Sequence, residues 1–299
     1  MSRPHWQQRS AGWLEVLSIT NLIANVGIIL TGGAVRLTGS GLGCPTWPRC
    51  TDDSYVPHPA LGVHGAIEFG NRMLTFVLVA VVVSCWVAAV GHRAVTGASG
   101  PVRLASLIAL GVPAQAVIGG ISVRTDLNPW VVALHLLVSL AMVALCVVLI
   151  AGVKPTLIPR SHDDSLRSLV LASYALVWLV LYLGTVVTGS GPHAGDASAP
   201  RNGLDSSAAS HVHAAAVYLL LAVTLLVVAL ARRRADRVLV RAAGMLLLVE
   251  LAQGVIGILQ VRTGLPELLV GLHLFGAALT IAAATRLLMT NRREDDGGA

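Results

Sequence analysis

Apolar residues in this chain fall into eight long blocks separated by short polar stretches. The blocks cover roughly 14–35, 63–90, 104–122, 130–152, 168–189, 210–231, 242–261 and 268–288. A bilayer core demands about 20 apolar residues of a spanning helix. Backbone in hydrocarbon must satisfy its own hydrogen bonds, so each block predicts a helix rather than an open strand. The period-two alternation of a membrane barrel is absent. The first block is too long for a signal peptide, lacks a small-residue cleavage site and holds Asn21 and Asn25, so it predicts a retained helix. The expected fold is all-α: a polytopic membrane protein with eight transmembrane helices.

A duplication organises these helices. Residues 114–136 read AQAVIGGISVRTDLNPWVVALHL and residues 252–274 read AQGVIGILQVRTGLPELLVGLHL. They align without a gap at an offset of 138, with 13 of 23 positions identical. His135 falls on His273, Gln115 on Gln253 and Arg124-Thr125 on Arg262-Thr263. A shorter echo links Thr38-Gly39-Ser40-Gly41 to Thr188-Gly189-Ser190-Gly191. Helices one to four therefore repeat as five to eight. Four crossings restore the starting side, so the two copies run parallel, related by an axis along the membrane normal. The expectation is two pseudo-symmetric four-helix bundles, 1–152 and 168–290. A linker over 153–167 carries Pro155 and Pro159, and a polar tail over 291–299 is expected to be disordered.

Charge adds an orientation. The chain is 55% hydrophobic and 12% charged, with a formal net charge of +6, and its mean hydropathy is +0.75. A basic balance can mean nucleic acid, but the placement of the charges argues against that. Arg232, Arg233, Arg234, Arg237 and Arg241 share one connection, and Lys154, Arg160 and Arg167 another. Arg93 and Arg103 flank a third. With Arg3, Arg9, Arg286, Arg292 and Arg293, these make fifteen of the 21 Lys and Arg, all on one side if eight helices alternate. The other side holds Arg36, Arg49, Arg124, Arg201 and Arg262, with Arg72 just inside a helix. This asymmetry predicts a cell-membrane protein with both termini in the cytoplasm.

Ionisable groups within a bilayer are costly and usually functional. The even-numbered helices carry them near their outer ends: His64, Glu68, Asn71 and Arg72 on the second, His135 on the fourth, His211 and His213 on the sixth, His273 on the eighth. The spacing of 64, 68, 71 and 72 puts all four on one helical face. Glu68 and Arg72 can simply pair as a packing device. A lone histidine on an apolar face is usually a satisfied core residue. Two at matching places in a repeat, each with a candidate partner on a neighbouring even helix, point instead to axial ligation of a haem iron. Zinc fits less well, because Cys and carboxylate ligands are missing nearby apart from Glu68. His211 and His213 point about 200° apart, so spacing leaves either as a ligand.

Cys44 and Cys50 lie in an outer Pro-rich loop, where a disulfide can persist, either as a staple or as a redox pair. Cys85 and Cys146 sit within apolar blocks as packing residues. Arg124 and Arg262 stand just outside the core, able to pair with haem propionates or simply to cap a short connection. His58 and His193, in outer loops, are weaker propionate candidates. His5, His92 and His162 carry no assignment. No Walker motif, dinucleotide fingerprint or hydrolase elbow is present.

The run Thr31-Gly32-Gly33-Ala34-Val35-Arg36-Leu37-Thr38-Gly39-Ser40-Gly41-Leu42-Gly43-Cys44-Pro45, with the repeat segments and paired histidines, resembles the haem A synthase family across essentially the whole chain. That resemblance implies oxidation of a haem O ring methyl to the formyl group of haem A by successive hydroxylations, for terminal oxidase assembly. It implies a haem b held by His213 and His273 in the second half, and favours His213 over His211. It implies a substrate haem site in the first half around His135, His64, Asn71 and Arg72, with Glu68 as the family's essential glutamate and Cys44 and Cys50 as its outer-loop pair. The family's helix-two pattern is Glu-x-x-His-Arg. Here it reads Glu68-Phe69-Gly70-Asn71-Arg72, and asparagine cannot replace imidazole on iron. Either His64, about 10 Å along the helix, supplies the ligand, or His135 is alone and the iron keeps an open position. Implied partners are haem O, membrane lipid, a haem O synthase and an electron acceptor, with self-association also open; nucleic acid is not among them. The rival readings are a non-catalytic haem b cytochrome serving quinone and a haem transporter.

Overall fold

The computed structural model describes residues 5–161 and 163–292, with backbone alone for 5–11. Arg3, His162, Arg293 and the tail from 293 lie outside the described residues, as do the side chains of His5 and Arg9. Among the described residues eight helices make up the fold: α1 (His5–Leu37), α2 (Gly62–Thr96, entered through a 3-10 turn at Pro59–Leu61), α3 (Gly100–Arg124), α4 (Pro129–Val153), α5 (Asp164–Ser190), α6 (Ser206–Arg233), α7 (Arg237–Arg262) and α8 (Glu267–Thr290). All eight are long and apolar enough to cross a membrane.

Most of the helices outrun the apolar blocks that predict them. Hydropathy stops at the first polar residues, whereas the backbone continues until something satisfies its ends. Asn128, Asp163, Asp205 and Asp236 cap α4, α5, α6 and α7 by accepting first-turn amides. At the other end of α2, Gly97 adopts φ +82° and donates its amide to the Arg93 carbonyl, a left-handed stop that favours glycine.

The helices pack as two rings. α1 lies beside α2 and α4, and α3 joins α2 to α4; α5 lies beside α6 and α8, and α7 joins α6 to α8. Within each ring the even-numbered helices therefore stand on a diagonal. The rings meet where α4 lies against α8, α1 against α8 and α4 against α5. Exchanging helices one to four for five to eight maps this pattern onto itself, with the α4–α8 contact at its centre. The buried face of α8 is built from small residues, among them Gly276, Ala278, Ala283 and Ala284, which let backbones approach closely. Large apolar side chains such as Phe76, Leu110, Tyr218, Leu248 and Leu268 face outward, as a lipid-facing surface requires.

Two boundaries differ from expectation. Residues 164–167, expected in the linker, already belong to α5. The linker itself packs: Ile158 is buried, and the Ser161 amide donates to Thr290 O at 2.8 Å. Asn291, expected at the start of a disordered tail, is 3% exposed and accepts the Asp163 amide at 2.9 Å. Its amide side chain provides the partner that hydropathy cannot register. At the opposite end, Arg36 at the close of α1 donates to His193 O at 2.6 Å and Thr188 O at 3.1 Å. One guanidinium thus ties the first ring to the second.

Candidate functional site

In the first half, the polar residues singled out lie on α2 and α4, the diagonal pair of the ring. Glu68 is buried, and its carboxylate accepts the Cys44 amide and pairs with Arg72 at 2.6 Å. Arg72 also donates to the carbonyls of Cys44, Thr46 and Arg49 at 3.2, 3.0 and 3.1 Å. Of the stripe predicted from spacing, Glu68 and Arg72 lie together and are spent on the loop that carries the disulfide. Cys44 and Cys50 are joined, and both are fully buried. Trp47, within that loop, lies against Gly120 of α3, where any side chain would collide with its ring. A pocket of about 350 Å³ remains between the loop and Arg124.

His64 and Asn71 differ in setting. His64 is exposed, at the loop end of α2, with Nδ1 2.9 Å from Ser40 Oγ. Asn71 is half-buried and accepts from Thr31 Oγ1 of α1 at 2.8 Å. On α4, His135 is half-buried with a buried Nδ1 that has no hydrogen-bond partner. Its carbonyl accepts Gln115 Nε2 at 3.0 Å and Ser139 Oγ at 2.9 Å, so the turn that carries the ring is pinned to α3.

The second half repeats the motif with two histidines. His213 on α6 and His273 on α8 are half-buried on the diagonal, and each keeps a buried Nδ1 without a hydrogen-bond partner of regular geometry. They lie within electrostatic reach of one another, and the Val180 carbonyl of α5 stands next to the His213 ring. His211 turns the other way: it is exposed, and Nδ1 sits 2.7 Å from the Ser207 carbonyl of its own helix.

Glycine makes room for all three inward rings. A side-chain carbon would stand 3.2 Å from His135 Cε1 at Gly119, 3.3 Å from His213 Cε1 at Gly184 and 3.6 Å from His273 Cε1 at Gly257. Gly119 and Gly257 are themselves partners in the repeat. Each histidine thus turns its Cε1 edge towards a glycine; at Gly119 and Gly184 a Cβ would be crowded, whereas at Gly257 it would meet His273 at ordinary contact distance. Among the described residues no three His, Cys, Asp or Glu converge, so what the arrangement offers a metal is an imidazole, or a facing pair of them.

The sequence matches the COX15-CtaA family, described as cytochrome oxidase assembly protein, over residues 15–200. That is more than half of the chain. The chain belongs to this family. The match takes in Cys44, Cys50, His64, Glu68, Asn71, Arg72 and His135, while His213 and His273 lie beyond it. This family member is 29% identical to a Heme A synthase of Shewanella oneidensis over 192 residues, covering 59% of this chain and 55% of that protein. It is 30% identical to a Heme A synthase of Bacillus cereus over 188 residues, covering 60% and 58%. A Heme A synthase of Geobacillus thermodenitrificans is 33% identical over 111 residues, 36% and 32% of the two chains. The chain thus spans a little over half the length of the first two relatives it matches.

Other candidates find different surroundings. Arg124 and Arg262 are exposed. His193 Nε2 lies 2.8 Å from Leu265 O, fastening the loop before α6 to the α7–α8 turn. His58 meets Asp53 at 3.3 Å on the surface. The expectation that ionisable groups sit only on even helices, near one end, is overturned by Glu250. It lies at mid-length of α7, is 3% exposed, and accepts from Thr224 Oγ1 of α6 at 2.9 Å. Its counterpart in the repeat is Val112, so a reading guided by duplication passes over it. A single acid within the seventh apolar block is the signal that was available.

Proposed function

We propose that this protein is a haem A synthase: it binds haem O and oxidises a ring methyl to a formyl group. The carrying observation is the set of three inward rings at His135, His213 and His273, each with a buried Nδ1 and each close to a glycine of the neighbouring helix. Family membership and the names of its relatives point the same way.

The donor set fits haem. His213 and His273 stand on the diagonal helices α6 and α8 and would hold a haem b in the second half, 168–290. A haem with two imidazole ligands supplies one-electron transfer. In the first half, 1–152, His135 has no histidine opposite it at Asn71. We read this half as the substrate site, where haem O keeps one iron position open. His64, anchored on Ser40 nearer the surface, is the alternative second ligand.

The chain's own residues then have distinct tasks. Glu68 and Arg72 hold the disulfide loop over the outer ends of α2 and α3, which restricts water at the substrate site. Thr31 orients the Asn71 amide. Gln115 and Ser139 fix the turn carrying His135. Glu68 carries protons away from the methyl group as it is oxidised, and Arg124 and Arg262 receive propionates at the rim. The basic clusters at the linker end support a cytoplasmic location for that end, in a cell-membrane protein, through the positive-inside tendency. Haem O synthase and an electron acceptor are the partners this activity requires.

The test is a pigment analysis. The protein is purified in detergent from cells making haem O, its reduced-minus-oxidised spectrum is recorded, and its pigments are extracted for chromatography. A b-type spectrum with haem A among the pigments supports the reading. Haem b without haem A moves it to a cytochrome. Protein without haem removes the histidine argument.

A further inference from the structure

We infer that Glu250 is a proton-binding site whose protonation is linked to reduction of the haem held by His213 and His273. The inference rests on the second-half haem of the proposed function. Glu250 is buried in the middle of the second ring, and one carboxyl oxygen accepts from Thr224 while the other is buried with no partner. Thr224 lies 3.4 Å from Ser173 Oγ of α5, so three helices meet at one polar point inside an apolar core. The proposed mechanism gives this carboxyl no task.

Its position relative to the histidines is regular. Thr224 is eleven residues beyond His213, Ser173 eleven before Gly184, and Glu250 seven before Gly257. Eleven and seven residues are close to whole numbers of turns, so each lies on the face that its partner presents to the histidine pair. The depth between them is about 10 to 16 Å at helical rise. At such separations in a protein medium, one unit charge alters the proton affinity of another group by roughly tenfold.

The surroundings select what Glu250 can respond to. On α6 the charged groups are His211 and His213 above and Arg232 and Arg233 at the far end; on α8 they are Glu267 and His273 above and Arg286, thirteen residues beyond His273 and on another face. On α5 the nearest titratable group in sequence is Tyr174, beside Ser173, and on α7 Arg241 is nine residues away. Towards the linker end, Leu239, Ala243, Leu246, Val227 and Ala231 close the core. Val177, Leu181 and Leu220 close it towards the histidines, so the carboxyl would respond through apolar core to the charge on an iron held by His213 and His273. A carboxylate beneath ferric iron takes up one proton from water as the iron takes one electron from a one-electron donor, such as a quinol or dithionite. The products would be ferrous iron, the neutral acid and the oxidised donor; the carboxyl O–H bond forms as an O–H bond of solvent hydronium breaks, leaving water.

The experiment is potentiometric titration of the haem-loaded protein at several pH values, beside infrared difference spectra in H2O and D2O. The wild-type midpoint should fall by about 60 mV between the low- and high-pH limits, the tenfold linkage converted at about 59 mV per tenfold for one electron. A protonated-carboxyl band should appear on reduction. Glu250→Gln should abolish that band and flatten the fall. Thr224→Val keeps the carboxyl but removes its donor, and should displace the pH range of the fall. Haem bound equally in all three proteins with unchanged slopes overturns the Glu250 assignment alone. Protein that binds no haem overturns the histidine reading and this inference with it.

Discussion

The Cys44 amide donates to the Glu68 carboxylate, so the carboxyl group singled out on α2 is also the anchor of the disulfide loop. Arg72 completes the arrangement by pairing with Glu68 and donating to three loop carbonyls. Removing one partner of a buried ion pair strands the other, at a cost of about 3 kcal/mol. Glu68→Ala should therefore lower unfolding stability in detergent by about that amount and expose residues 45–56 to protease. Glu68→Gln retains an acceptor for the Cys44 amide and should keep the loop in place while haem A formation falls at least tenfold. Normal turnover in Glu68→Gln would leave the residue an anchor and nothing more.

The cysteines divide by accessibility as well as by pairing. Cys44 and Cys50 are joined yet fully buried, and Cys85 and Cys146 are buried thiols. A thiol reagent should therefore label none of the four in the folded protein, and two after unfolding without reductant, read by mass spectrometry. The ring closed by the disulfide is small, so Cys44→Ser with Cys50→Ser should cost roughly 2 kcal/mol by loop entropy. Loss of activity beyond what that destabilisation explains would mark a redox task.

Neighbouring histidines on α6 should separate cleanly. His213 turns into the ring with a buried Nδ1, whereas His211 is exposed and bound to its own helix. His213→Ala should reduce haem b recovered with the protein at least tenfold, as should His273→Ala, while His211→Ala leaves the spectrum unchanged. Equal losses at 211 and 213 would mean that the ligand is set by something other than this geometry.

The eight crossings are legible because a bilayer imposes a length and polarity that no other environment does. The histidine positions are legible because the repeat carries His135 onto His273 together with the glycines that seat them. What hides from the sequence are pairings between distant segments. Arg36 reads as one more positive charge outside the membrane, yet it clasps the carbonyls of Thr188 and His193. Asn291 reads as the start of a tail, yet it is buried against Asp163. Glu250 is masked by the same symmetry that reveals the histidines, since its counterpart is valine. The first two depend on contacts across more than a hundred residues, which leave no local pattern; Glu250 breaks the repeat and shows only as a single acid in an apolar block.

The linker end carries its own pH sensitivity. Asp163 caps α5 by accepting from Ser165, and pairs with Arg234 at 2.7 Å. The Ser165 hydrogen bond first, and then Arg234, hold its carboxyl below the usual carboxylate value. Its proton is therefore bound less tightly in the folded protein than in the unfolded chain. The resulting stabilisation is fully present above about pH 4, the ordinary aspartate value, and is lost as pH falls through the lowered value. Thermal unfolding in detergent should thus shift downward from pH 5 to pH 3 more steeply in the wild type than in Asp163→Asn, which cannot titrate there. Arg234→Gln should remove only part of the difference, because the Ser165 contribution remains. Identical pH profiles for wild type and Asp163→Asn would mean that the α5 cap does not contribute to the stability measured.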